Sequence, residues 1–328
     1  MPILPPRLTP AATIGVFFPS IPVAAERVDR AASFLRERGF RVKLGSLYGK
    51  KDGYRSGSAR ERAAELNALL HDGEVDCLMA VSGGYVSNAM LPYLDYEYLK
   101  AHPKVIVGFS DVTALLLGIY AQTNLVTFYG PVLGLFQQKS PVPEETLRFF
   151  AELMEARPPY TLPQPEHWTD ESIDHGERHA YHWQKSELVT LRGGAAEGRL
   201  IGGNGNTMGG ILGSPYMPAI LPGDILYLED KRKCAEELER SFAHMKLCGV
   251  FGNIGGLILG KHIDYDDRGT GRKPWDILRE VLGGEPEFPV LGEFDCSHAT
   301  PMLTLPLGVR ARLDADAQTL TVLDPWVE

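Results

Sequence analysis

Over the first 130 residues, short apolar runs alternate with stretches of helical period, and that alternation allows few folds. Thr13–Phe18 is an apolar run that stops at Pro19; an amphipathic stretch follows from about Ala24 to Arg38 and closes at Gly39. A strand at Arg41–Leu44, a helix at about Ala59–Leu70 and a strand at Cys77–Val81 continue the series. After Gly83-Gly84 come a short helix, the strand Lys104–Val107, a helix bearing Ala114, Leu115, Leu116, Ile119 and Tyr120, and the run Leu125–Phe128. Strands linked through helices pair in parallel and need both faces covered, so the pattern predicts an α/β fold with a Rossmann-like or flavodoxin-like parallel sheet. Ligands of such sheets gather at the carboxyl ends of the strands. Both Ser82-Gly83-Gly84 and Gly108-Phe109-Ser110 fall at such ends.

The second half reads differently. A helix at about Glu144–Ala156 ends before Pro158-Pro159, and the next two dozen residues hold prolines, aromatics and four of the nine histidines. From there strands dominate: Leu188–Leu191, Gly198–Ile201, Ile225–Leu228, Leu257–Leu259, Val290–Leu291, Val309–Leu313 and Thr319–Leu323, with one long helix at about Ala235–Leu247. The expected organisation is an N-terminal α/β domain over 1–157, a linker and aromatic loop over 158–185, and a β-rich α/β C-terminal domain over 186–328. A length of 328 residues suits two cores.

A net charge of −9 argues against a nucleic-acid polymer as partner, since phosphate backbones attract clustered lysine and arginine. No apolar run approaches the roughly 20 residues of a membrane span. The N-terminus lacks a basic segment followed by an apolar one, and Cys77, Cys234, Cys248 and Cys296 form no CxxC pair, so the expected compartment is the reducing cytoplasm.

Several segments could carry chemistry. In Gly108-Phe109-Ser110-Asp111 a strand turns sharply into a helix, which can expose a serine hydroxyl and aim helix N-terminal N–H groups at an oxyanion. Ser110 and Asp111 are equally suited to capping that helix, and the second glycine of a G-x-S-x-G elbow is missing. Gly83-Gly84 allows close backbone approach to a ligand. The run Gly202-Gly203-Asn204-Gly205 is neither a P-loop nor a dinucleotide turn, but Asn204 could hold a substrate carboxylate or amide. The strand Ile225–Leu228 ends in Glu229-Asp230, where a carboxylate could orient an imidazole, with Lys233 just beyond to meet an anionic group. His298 suits a general base, and Cys296 raises a thiol alternative. His175, His179 and His182 would share a helical face, though without a carboxylate at matching spacing a zinc site is disfavoured. His262, Asp264, Asp266 and Asp267 read as a solvated turn that lacks calcium-loop spacing. No metal or cofactor is expected.

Taken in order, these segments resemble the serine LD-carboxypeptidases, which include the murein tetrapeptide carboxypeptidases. The match runs through Gly83-Gly84, Gly108-Phe109-Ser110-Asp111, Gly202-Gly203-Asn204, Leu228-Glu229-Asp230 and the segment His298–Gly308, and so spans nearly the whole chain. The likeness is greatest to the branch of the microcin C self-immunity peptidase, through Trp168–Ile173, Gly213–Pro218, Gly260-Lys261-His262, Asp266–Pro274 and Phe294-Asp295-Cys296. The resemblance implies Ser110 as nucleophile, His298 as general base and Glu229 as its orienting carboxylate. It further implies oxyanion donors at Gly84 and Asp111, and substrate contacts at Gly83, Asn204, Lys233 and, in the aromatic loop, Trp168 and Trp183. The expected substrate is the aminoacyl or peptidyl amide of a nucleotide-like toxin, with a murein tetrapeptide as the alternative; a homodimer is expected. A non-catalytic nucleotide- or peptide-binding protein, with Ser110 only a cap, is the reading from another class.

Overall fold

The structure, a computed structural model, describes residues 1–137, 142–171 and 181–328. Its N-terminal half is the expected parallel α/β layer. The elements are β1 (Thr13–Phe17), α1 (Ala25–Glu37), β2 (Arg41–Leu44), α2 (Ala59–His71), β3 (Cys77–Ala80), α3 (Tyr96–Ala101), β4 (Val105–Gly108), α4 (Thr113–Thr123), β5 (Thr127–Tyr129) and α5 (Val142–Glu155). Strands β1, β3 and β4 are buried along their whole length, as inner parallel strands covered on both faces must be. Helix α2 starts on a capping box in which Ser58 and Glu61 exchange side-chain and backbone hydrogen bonds.

After α5 come β6 (Tyr160–Thr161), β7 (His167–Trp168), β8 (Gln184–Lys185), β9 (Val189–Arg192), β10 (Ala195–Asn204), α6 (Gly205–Gly209), β11 (Ile225–Glu229) and α7 (Ala235–Leu247). The chain closes with β12 (Gly256–Gly260), α8 (Pro274–Leu282), β13 (Val290–Phe294), β14 (Leu305–Leu307), β15 (Arg310–Asp314) and β16 (Thr319–Val322). The second sheet runs β6-β16-β15-β10-β11-β12-β13-β9, parallel from β10 through β13 and antiparallel at both flanks. Helix α8 was not foreseen. Pro274 opens it and the left-handed Gly283 closes it after nine residues, too short a stretch to show a clear helical period.

The halves interlock. β14, from the C-terminal half, lies antiparallel on β5 with Leu305 opposite Tyr129, so the first sheet reads β14-β5-β4-β3-β1-β2. Pro306 cannot donate to a ladder, which suits this edge position. β6, which follows α5, pairs with β16. Helix α4 is buried from Thr113 through Tyr120, because it lies between the first sheet and the β10–α6 corner of the second. Gln122 donates to the Pro215 carbonyl at 2.7 Å, and Arg199 pairs with Asp224 while reaching Tyr120 Oη at 3.4 Å, both across this seam.

One buried ion pair anchors the segment that carries His298. Lys261, just past β12, donates to Asp295 Oδ1 at 2.5 Å and to the Glu293 carbonyl at 2.6 Å, and Ser186 Oγ donates to Asp295 Oδ2. Both charged side chains are almost wholly removed from solvent. Lys261→Met leaves the buried Asp295 carboxylate without its cation, with only Ser186 still donating to it, and should cost about 3–5 kcal/mol of stability in denaturant unfolding. Replacing the pair together, Lys261→Met with Asp295→Leu, should recover most of that loss.

Candidate active site

β4 ends at Gly108, where a side chain would collide with Val112. Phe109 stays extended, and Ser110 then adopts φ +61°, a left-handed conformation uncommon outside glycine, before α4 begins. Such strain is characteristic of a strand-to-helix nucleophile turn. The hydroxyl of Ser110 caps neither the short 3-10 turn Ser110–Val112 nor α4. Asp111 does cap, but elsewhere: its Oδ2 accepts from the N–H groups of Val86 and Ser87 at 3.0 Å each, and its carbonyl accepts from Ser87 Oγ at 2.5 Å. The carboxylate next to the serine therefore clamps the chain that follows the glycine pair.

That glycine pair lies against the serine. A Cβ on Gly83 would stand 2.9 Å from Ser110 Cβ and 3.4 Å from the Asp111 nitrogen. Gly84 has φ +150°, and a Cβ there would overlap Ser20 Oγ, which itself accepts from the N–H groups of Tyr85 and Val86. Among the described residues neither the Gly84 nor the Asp111 N–H has a hydrogen-bond acceptor, so both remain available as donors.

Glu229 ends β11 with no solvent exposure. Its Oε2 meets His298 Nδ1 at 2.7 Å; its Oε1 accepts from Tyr129 Oη at 2.7 Å and from Asn204 Nδ2 at 2.9 Å. Burial acts to raise this carboxyl, but His298 and the two further donors together hold it below the usual carboxylate range. The His298 ring lies edge-on to Phe109, with centroids 4.9 Å apart. Backbone hydrogen bonds between Thr169 and Thr300 tie the His298 segment to the β7–β8 hairpin. The serine turn, the imidazole and the carboxylate, 188 positions apart at their extremes, thus share one locality.

The neighbouring residues divide. Asn204 is buried, with its carbonyl accepting from Thr207 N–H and Oγ1 and its amide shared between Glu229 and Asp230. Its hydrogen-bonding groups are committed to the protein. The exposed amide is that of Asn206, which accepts from Lys233 Nζ at 3.0 Å. Sequence reading passed over Asn206; its spacing of two from Asn204 around a helix start was the available signal. Asp230 is pushed up to about 6, first by burial and then by the charge of Glu229. Trp168 is half-buried under Lys261 Nζ, 5.1 Å from the ring centroid, while Trp183 is exposed beside Tyr181. Cys296 is fully buried, its thiol raised well above the ordinary range by burial, and so is unsuited to attack.

The metal alternatives find no support among the described residues, where no group of three or more histidine, cysteine or acidic side chains is placed to hold an ion. His175 and His179 lie outside the described residues; His182 bonds Glu171 at 2.5 Å. Asp267 accepts from the N–H groups of Gly269 and Gly271, and Asp266 pairs with Arg268, which makes that segment a hydrogen-bonded turn.

Comparison with known proteins agrees along the chain. The family model described as LD-carboxypeptidase N-terminal domain matches residues 14–130, and that described as LD-carboxypeptidase C-terminal domain matches 197–313. The microcin C7 self-immunity protein MccF of Escherichia coli is 44% identical over 335 residues, covering 99% of this chain and 97% of that protein. The murein tetrapeptide carboxypeptidase of Pseudomonas aeruginosa is 25% identical over 312 residues, 92% of this chain and 93% of that protein. The structure of MccF in complex with glutamyl sulfamoyl guanosine superposes with a TM-score of 0.97 at 43% identity, covering 100% of both chains. With both family domains matched and a full-length relative at this identity, the chain belongs to the LD-carboxypeptidase family.

Proposed function

We propose that this chain is a serine peptidase in which Ser110 is the nucleophile, His298 the general base and Glu229 the carboxylate that orients it. The observation that carries the reading is the 2.7 Å contact of His298 Nδ1 with a fully buried Glu229, beside a serine held in a left-handed turn. With Nδ1–H donated to Glu229, the other ring nitrogen is the acceptor available for the Ser110 proton. Ser110 Oγ attacks the amide carbonyl, and the N–H groups of Gly84 and Asp111 receive the developing oxyanion. The imidazolium then gives its proton to the departing amine, leaving an acyl-serine ester. Water, deprotonated by the same imidazole, releases the acid and restores the serine.

The substrate we favour is the aminoacyl or peptidyl amide of a microcin C-like aminoacyl nucleotide. Two observations support it. MccF, similar to this chain over its full length, binds glutamyl sulfamoyl guanosine and aspartyl sulfamoyl adenosine. In this chain Lys233 and Asn206 offer a cation and an amide beside Glu229-Asp230, suited to an anionic or polar linkage, and Trp168 and Trp183 offer ring faces. A murein tetrapeptide is the second reading, favoured by the likeness to the Pseudomonas aeruginosa enzyme. We also read the chain as a cytoplasmic homodimer, which light scattering on the purified protein tests. No described helix is long and apolar enough to cross a membrane.

Ser110→Ala should lower turnover by several powers of ten with an unchanged unfolding transition. Glu229→Gln, which preserves shape but not charge, should lower kcat by about 10³–10⁴-fold. Gly83→Ala pushes a methyl group into Ser110 and should lower kcat by about 10²-fold or more. Parallel assays on an aminoacyl sulfamoyl adenosine and an LD-tetrapeptide identify the substrate class: the first should be cleaved with the higher kcat/KM, and the reverse order would select the murein reading.

A further inference from the structure

The Tyr129 hydroxyl directly joins two parts of the site, the serine turn and the buried carboxylate. It donates to Glu229 Oε1 at 2.7 Å and accepts the backbone N–H of Ser110 at 3.3 Å. The ring is fully buried at the end of β5, edge-on to Phe109 at 6.4 Å and to Tyr227 at 5.4 Å, and it lies where β14 pairs across from Leu305. Gly203 lets it in, since a side chain there would crowd both Thr113 and the Tyr129 ring.

We propose that Tyr129 is a positioning residue, whose one hydroxyl fixes the strained Ser110 turn at a set distance from the carboxylate that orients His298. The proposal rests on the serine-peptidase reading above. Each bond of the hydroxyl does separate physical work. Accepting the Ser110 N–H satisfies a donor that the left-handed turn removes from any regular ladder, and it commits that N–H to the protein. The oxyanion is then left to the Gly84 and Asp111 donors. Donating to Oε1 occupies the carboxylate oxygen that His298 does not use, so the Glu229 side chain cannot rotate away from the imidazole. Burial and the neighbouring Glu229 charge raise the phenol well above its ordinary range, consistent with its remaining the donor. Asn204 shares Oε1 but reaches the serine turn only through an intermediary: its backbone N–H donates to Thr113 Oγ1, which donates to the Ser110 carbonyl, whereas the Tyr129 hydroxyl touches both ends itself.

The test is Tyr129→Phe, which keeps the ring and removes the hydroxyl, alongside Tyr227→Phe. Tyr227 is equally buried and adjacent, but its hydroxyl makes no hydrogen bond to Ser110 or Glu229. Tyr129→Phe should lower kcat by about 10- to 100-fold, the effect of one hydrogen bond to a charged group, with KM near the wild-type value. The downfield proton resonance of the His298 N–H shared with Glu229 should move in the same variant. Tyr227→Phe should change neither. A Tyr129→Phe enzyme with kcat within twofold of wild type, an unmoved resonance, or an equal loss in Tyr227→Phe would each overturn the proposal. Should Tyr129→Phe not fold, a ring-fluorinated tyrosine at the same position alters only the acidity of the hydroxyl, and a kcat that does not respond to it overturns the proposal too. Ser110→Ala run beside these separates the two ideas. An active Ser110→Ala protein defeats the serine-peptidase reading, whereas an inactive one with normal Tyr129→Phe turnover defeats only the role of Tyr129.

Discussion

A carboxylate with no exposure to water must find its hydrogen bonds inside the protein, and Glu229, on one strand, finds them on three other pieces of chain. His298 comes from the segment between β13 and β14, Tyr129 from β5, Asn204 from β10, and Glu229 itself from β11. An ionised group buried without such partners would protonate or destabilise the fold by several kcal/mol. Meeting this demand therefore requires that the two sheets meet at one place, and the rest of the site is arranged around that junction.

The interlocked topology serves the same end. β14 crosses into the first sheet and pins the chain after His298 against β5, while Lys261 and Asp295 hold the chain before it. The imidazole is thus restrained from both sides by interactions that have no part in the proposed chemistry. On the other face, Asp111 and Ser20 clamp the chain that follows the glycine pair, and Gly83 lies against the serine. In the proposed reaction, donors held in this way need not reorient as charge develops.

Some of this was legible in the residues. The apolar runs and capping signals mark nearly every helix and strand of the first half to within a residue or two, because period and turn chemistry are local properties. Ordered motifs also bring Ser110, Glu229 and His298 to notice. Asn204 shows the limit. As a residue in a glycine-rich turn it looks free to meet a ligand, yet its amide is consumed by Glu229 and Asp230, and the accessible amide belongs to Asn206. Which of two nearby asparagines faces solvent depends on the register of β10 against β11 and on the start of α6, neither of which composition specifies. Tyr129 is a similar case: in sequence it is one more aromatic at the end of a buried strand.

By itself, the amino-acid sequence determined the α/β class, the strand-to-helix turn at Ser110 and the membership of the chain in its family, since each is written in local pattern or in ordered motifs. Tertiary structure alone decided that Asp111 clamps the glycine loop, that Cys296 is sealed in the core, and that a tyrosine hydroxyl connects the serine turn to Glu229. Those outcomes depend on pairing between segments up to a hundred or more residues apart, and the free energy of burying a charge acts on that meeting, which no single stretch of chain contains.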